Sequence, residues 1–221
     1  MMRVLALSLL LVFLATQPAL AGALERAMLG KSAVVDLTQP SADGSLATHL
    51  HAGIVRGAGK ASVARIPAEE LLLQAVVVNV MEQAARIERY RLRVQDILAW
   101  ERRYGRIPQR AMVLMYTAWD RRWPDPARYF ETDAQGVPSG PGFSAAALEF
   151  LRTQRSVRGV GMDAAGPLSA EEEERRAAIG TWQLDNLTNL GRLPVKGAKL
   201  VVAPLRAEAA SAPARVIAIL P

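Results

Sequence analysis

The chain has no cysteine among its 221 residues. That excludes disulfide cross-links, thiolate nucleophiles and every cysteine-ligated zinc site. Histidine is nearly as scarce, with two in all, His49 and His51. Any metal centre must therefore rest on nitrogen and oxygen donors. Aromatic residues make up 5% of the chain, and no basic run is interleaved with them. The arginines are spread out, as in Arg86, Arg89, Arg91 and Arg93, then Arg102, Arg103 and Arg106, then Arg121 and Arg122. A formal net charge of +6 distributed in this way, without stacking residues, does not point to nucleic acid. After residue 21 no apolar run is long enough to span a bilayer.

The one long apolar run is at the start. Arg3 supplies a positive charge, Val4 to Ala15 is almost wholly apolar, and Pro18 precedes Ala19-Leu20-Ala21. A basic start, a short apolar stretch and a small-x-small ending are the pattern of a secretory signal. We expect residues 1–21 to be removed and the protein to be exported, to the periplasm or beyond. The other reading, an uncleaved anchor, has a run short for a full span. Residues 22–221 suit one domain with a sizeable core.

Both histidines fall in Thr48-His49-Leu50-His51, between a turn-like Ser41-Ala42-Asp43-Gly44 and Gly53. On a strand, positions i and i+2 share a face; on a helix they diverge. A strand here would aim two imidazoles into one pocket, as metal binding or proton transfer requires. The plainer alternative is two surface histidines beside a turn. The glycine-rich stretch that follows, Gly53 to Gly59, lacks the Lys and Ser/Thr of a phosphate loop.

Elsewhere strands and helices mix, which makes the class α/β. Val34 to Leu37 forms a short strand, and Ala75 to Val80 is a β-branched run suited to a strand buried on both faces. Ala111 to Thr117, Arg158 to Met162, Lys199 to Leu205 and Ala214 to Leu220 are further strands. Helices are expected over Val94–Tyr104, stopped by Gly105, and over Ala145–Arg155, capped by Ser144. A third is expected over Ala170–Ile179, opened by the capping box Ser169-Ala170-Glu171-Glu172. The Val94 helix carries Val94, Ile97 and Leu98 on its apolar stripe. Trp119, Trp123, Tyr129 and Phe130 mark an aromatic loop, either a pocket wall for a flat substrate or a lid over the core.

The order of several short stretches resembles the cyclase family of metal-dependent hydrolases, the group that includes kynurenine formamidase (arylformamidase) and isatin hydrolase. They are Val35-Asp36-Leu37-Thr38, Thr48-His49-Leu50, Ile66-Pro67, Trp100-Glu101 with Gly105-Arg106-Ile107-Pro108, Thr117-Ala118-Trp119, Gly159-Val160-Gly161-Met162-Asp163, Asn186-Leu187 and Leu193-Pro194. The resemblance implies a barrel-like mixed sheet of the swivelling β/β/α type with surrounding helices, and a homodimer. The family's metal motif, His-x-Gly-Thr-His-x-Asp-x-Pro-x-His, starts at position 45. Thr48 and His49 match it. Ser45, Ala47, His51, Gly53 and Val55 depart from it.

What the resemblance implies for the site is a ligand set of His49, His51, Asp185 and Glu173. Glu173 lies twelve residues before Asp185, where the family spaces its last two ligands. Zinc or manganese would suit imidazole and carboxylate donors. Val55 stands where the family keeps its acid/base histidine, and valine transfers no proton. Two functions remain open: a hydrolase of amide or cyclic amide bonds, or a binding protein for a small aromatic ligand on the same scaffold, its metal lost.

Overall fold

The computed structural model describes residues 19–40, 48–53, 62–87, 89–132, 140–165 and 181–221. The strands are β1 (Val34–Asp36), β2 (His49–His51), β3 (Leu72–Asn79), β4 (Arg91–Leu92), β5 (Met112–Tyr116), β6 (Gly142–Phe143), β7 (Gly159–Met162), β8 (Trp182–Asp185), β9 (Lys196–Pro204) and β10 (Ser211–Ile219). The helices are α1 (Ala19–Met28), α2 (Met81–Arg86), α3 (Val94–Tyr104), α4 (Pro126–Tyr129) and α5 (Ala145–Arg155).

Eight strands follow the order β1-β10-β2-β8-β7-β5-β3-β9, and β9 pairs back onto β10. That closure makes a seven-strand mixed barrel, with β1 extending the β10 edge. The run β3, β5, β7, β8 is parallel, whereas β9, β10 and β2 pair antiparallel to their neighbours. Together with its surrounding helices this is the single mixed α/β domain that the sequence implies.

Period-2 alternation splits the apolar residues between two cores. Along β5, Met112, Leu114 and Tyr116 join Leu37, Leu50, Leu184, Leu200 and Val216 inside the barrel. Val113 and Met115 point the other way, to Val76, Val78, Ile97, Trp100 and Leu151 beneath α3 and α5. A strand buried on both faces needs an unbroken apolar run, and Met112-Val113-Leu114-Met115-Tyr116 is one. β7 runs beside it with glycines because there is no room for side chains. A Cβ on Gly161 would come within 2.7 Å of Leu114 Cδ2.

α3 and α5 have the expected bounds. Ser144 Oγ accepts from Ala147 N–H at 3.1 Å, and Gly105 leaves α3 at φ 88°. The apolar stripe of α3 differs from the expected one, since Ile97 and Trp100 are buried while Leu98 is 36% exposed. Trp100 decides the phase: its indole N–H donates to the Val77 carbonyl at 2.9 Å and turns that side of the helix to the sheet. α1 runs across the expected cleavage point after Ala21. The helix expected over Ala170–Ile179 lies outside the described residues.

Candidate functional site

β2 is three residues long, held between β10 and β8. Its register pairs His49 with Asp185, Leu50 with Leu184 and His51 with Gln183. Leu50 and Leu184 are fully buried in the barrel. Alternation then places His49, His51, Gln183 and Asp185 together on the opposite face. The imidazole centroids are 6.4 Å apart with planes tilted by 41°. His51 Nε2 lies 2.9 Å from Asp185 Oδ2, a diagonal cross-strand contact. Asp185 is 4% exposed and closes β8.

Backbone around the pair is locked by Thr48. Its hydroxyl donates to the Asn186 carbonyl at 2.6 Å and accepts from the Gln39 N–H at 2.8 Å. One buried threonine thus ties the chain entering β2 to the chain leaving β8. Asn186 holds a left-handed φ of 53° at that exit, and its side-chain oxygen accepts from the Tyr129 hydroxyl at 3.0 Å.

A second carboxyl lies deeper. Asp163, at the carboxyl end of β7, is fully buried. Thr117 donates to it from Oγ1 at 2.6 Å and from its backbone N–H at 3.1 Å to each oxygen. Burial pushes the Asp163 carboxyl up to about 7, against the pull of the Thr117 hydroxyl, and the nearby Asp120 adds to the rise. Tyr129 is raised too, by burial first and then by Asp163, Asp185 and Asp120. Its hydroxyl lies 3.4 Å from the Asp163 backbone carbonyl. In the sequence Asp163 stands out only as the last residue of the family-like stretch Gly159 to Asp163, with no role attached, because a lone aspartate after an apolar run carries no spacing signal.

The aromatic loop closes over this polar cluster. Trp123 meets Tyr129 edge-on at 4.8 Å, and Tyr129 meets Phe130 at 4.9 Å. The Trp119 indole donates to the Tyr129 carbonyl at 3.0 Å, and the Trp123 indole to the Pro40 carbonyl at 3.0 Å.

The donor types on the His49 face suit zinc or manganese. Two ligands on a tetrahedral zinc stand about 3.3 Å apart, given bonds of ~2.0–2.1 Å. The 2.9 Å contact of His51 with Asp185 would have to open by a few tenths of an ångström. Among the described residues, no three His, Asp or Glu side chains are drawn together as closely as an ion would hold them. Glu173, Ser45 and Val55 lie outside the described residues.

A model of the cyclase family matches residues 16–167 of this sequence. The chain belongs to the cyclase family. Among the relatives of this cyclase-family chain is isatin hydrolase of Roseibium aggregatum, 32% identical over 164 residues, a match spanning 69% of this chain and 61% of that one. Isatin hydrolase A from Ralstonia solanacearum superposes with a TM-score of 0.80 at 26% identity, covering 94% of this chain and 99% of the other. Isatin hydrolase A from Labrenzia aggregata, bound to benzyl benzoate, gives 0.79 at 25% identity over 92% and 99%. At 20% identity, a structure described as a potential metal-dependent hydrolase with cyclase activity shares the fold, with a TM-score of 0.59 over 85% of this chain and 97% of that one.

Proposed function

We propose that this cyclase-family protein is an exported, metal-dependent hydrolase that opens the amide bond of a small aromatic substrate, either cyclic as in isatin or an N-formyl arylamine. One observation carries the reading: β2 and β8 bring His49, His51 and Asp185 to one face, with His51 in contact with Asp185. The kinship with isatin hydrolases supplies the substrate class.

His49, His51 and Asp185 would hold the ion, with Glu173 as the fourth candidate. A divalent ion supplies Lewis acidity toward the amide carbonyl and acidifies water. The rest is the work of this chain's own residues. Before an ion opens that contact, Asp185 holds the His51 ring in place through Nε2. Thr48 fixes the strand that presents both rings. The aromatic loop offers ring faces to a flat substrate and keeps water from the buried carboxyls. No proton can be delivered to the departing nitrogen at position 55, since Val55 has none to give.

That valine, with Ser45 in place of a family ligand, favours a second reading, a binding protein for the same ligands. Metal analysis of the purified protein and hydrolysis of isatin with added zinc or manganese separate the two. A stoichiometric ion with measurable ring opening supports the hydrolase. Binding of isatin without an ion or turnover supports the second reading. Export with cleavage after Ala21 and a homodimer belong to the same proposal. N-terminal sequencing of the mature protein and light scattering test them.

A further inference from the structure

Arginines that are scattered in the sequence gather at one end of the barrel. β3, β5, β7 and β8 run parallel, so they start at one end and finish at the other. Asp163 and Asp185 stand at the finishing end. α3 leads into β5 and α5 into β7, so both helices end where those strands start. The two helix ends touch there. Arg106 donates to the Gln154 carbonyl at 2.7 Å, and the Arg110 N–H donates to the Ser156 carbonyl at 2.9 Å. β9 is antiparallel to β3 and finishes at the same end, so the loop between β9 and β10 projects there as well.

The acids at this end are matched by arginines. Glu101 takes Arg155, Glu149 takes Arg152, and Glu70 takes both Arg158 and, at 3.7 Å, Arg110. What is left over is positive. Arg102, Arg103 and Arg106 are exposed and form no ion pair among the described residues. Neither does Arg206 on the β9–β10 loop, whose Nε donates to the Ala64 carbonyl at 3.3 Å. Against these cations stands one exposed acid without an arginine among the described residues, Glu69. Beside Arg206 opens a cavity of about 530 Å³, lined by Val63, Ile66, Leu71 and Pro204 together with Arg65. Glu208 also lines it; it accepts from Ser62 Oγ at 2.7 Å and lies 3.8 Å from Arg65. Leu72 and Leu205 are 54% and 66% exposed at this end. Leu205 lies four residues past Val201, the β9 partner of Leu72, so the two stand roughly 13 Å apart along the strand.

A folded acidic partner needs a contiguous apolar centre inside a polar rim. Here the leucines stand apart in a broad positive field, and an apolar cavity opens among the guanidinium groups. That combination fits a sheet of anionic headgroups with an apolar layer beneath it. We propose that this end of the barrel docks on a membrane surface rich in anionic phospholipid. Arg102, Arg103, Arg106 and Arg206 meet the phosphates, and Leu205 enters the headgroup layer. Asp163 and Asp185, at the other ends of the strands, then face away from the lipid. The proposal does not depend on the catalytic reading.

The test is co-sedimentation of the full chain with vesicles of phosphatidylcholine alone and of phosphatidylcholine mixed with phosphatidylglycerol. It compares the wild type with the triple variant Arg102→Gln, Arg103→Gln, Arg106→Gln, with Leu205→Gln, and with a second triple variant, Lys31→Gln, Arg86→Gln, Arg192→Gln. The second triple loses the same charge from exposed positions at the other strand ends. Whatever the apolar run Val4 to Ala15 contributes is common to all four proteins and to both kinds of vesicle. The wild type is expected to prefer the anionic vesicles, less so as salt is raised. The first triple variant should lose about 10–100-fold in partitioning to them, with its melting temperature unchanged. Leu205→Gln should lose a few-fold, and the second triple variant should stay near the wild type. Equal loss in the two triple variants would overturn the proposal, because net charge and not this face would then hold the protein. So would a wild type with no preference for anionic vesicles, whatever acidic protein it binds. Unchanged partitioning of Leu205→Gln would overturn the insertion of that leucine.

Discussion

Asp163 shows how one residue ties stability to pH. Burial pushes its native carboxyl up to about 7, from an ordinary value of 3.8. A raised native value means that the folded state holds its proton more tightly than the unfolded chain does. The associated stability is fully present below pH 3.8 and is lost as pH rises through about 7. Asp163→Asn removes the titration and keeps one oxygen for the Thr117 donors. In urea titrations from pH 4 to pH 8, the variant should therefore gain on the wild type as pH rises. The gain should be on the order of 2–4 kcal/mol at the upper end. A difference that stays flat across this range would show that Asp163 keeps its charge at neutral pH.

At the scale of elements, α3 and α5 are joined by Glu101 and Arg155. Two guanidinium nitrogens reach the carboxylate at 2.6 and 2.7 Å, and the Ile107 N–H donates to it at 2.9 Å. The Arg155 hydrogen bonds hold the Glu101 carboxyl below its usual value of 4.5, with burial opposing them. Here the linkage has the opposite sign: the contribution is present above pH 4.5 and is lost as pH falls through the lower native value. Glu101→Gln should cost about 1.5–3 kcal/mol at pH 7, by analogy with hydrogen bonds to charged groups, and less in acid. Chemical denaturation at pH 7 and pH 3 checks both halves.

The same two helices show what was legible in the sequence. α3 and α5 could be placed because each has a local start and stop, and β5 because it is an unbroken apolar run. β8 escaped notice. Trp182-Gln183-Leu184-Asp185 alternates for only four residues, and its strand character comes from β2 and β7 on either side. α2 has no buried residue to give it a period. At the site, the i, i+2 spacing of the histidines predicted their shared face, and the family resemblance named Asp185 as a partner. Asp163 was not visible as a site residue. It is a single polar group whose meaning depends on what the barrel brings beside it.

For the molecule as a whole, the question is how far the barrel keeps a working site. Ser45, His51 and Val55 are the three departures in the metal motif with most chemistry at stake. Putting the family residues back makes an energetic prediction as well as a kinetic one. His51→Asp removes the imidazole that meets Asp185 at 2.9 Å and sets two carboxylates across the β2–β8 ladder. Like charges so placed repel, and a partly buried pair is screened little by salt. The triple variant Ser45→His, His51→Asp, Val55→His should therefore melt below the wild type when freed of metal. Zinc or manganese should then raise its melting point more than it raises that of the wild type, since an ion bound only by the folded state at 1,000 times its Kd contributes about 4 kcal/mol. Turnover of isatin should rise by about 10²–10⁴-fold, the usual worth of the acid/base step that Val55 cannot perform. Scanning calorimetry with and without metal reads the first effect, and initial rates read the second. If metal stabilises both proteins equally and the rates agree, the wild type already moves its proton through a group other than residue 55, and the three replacements have left the site intact.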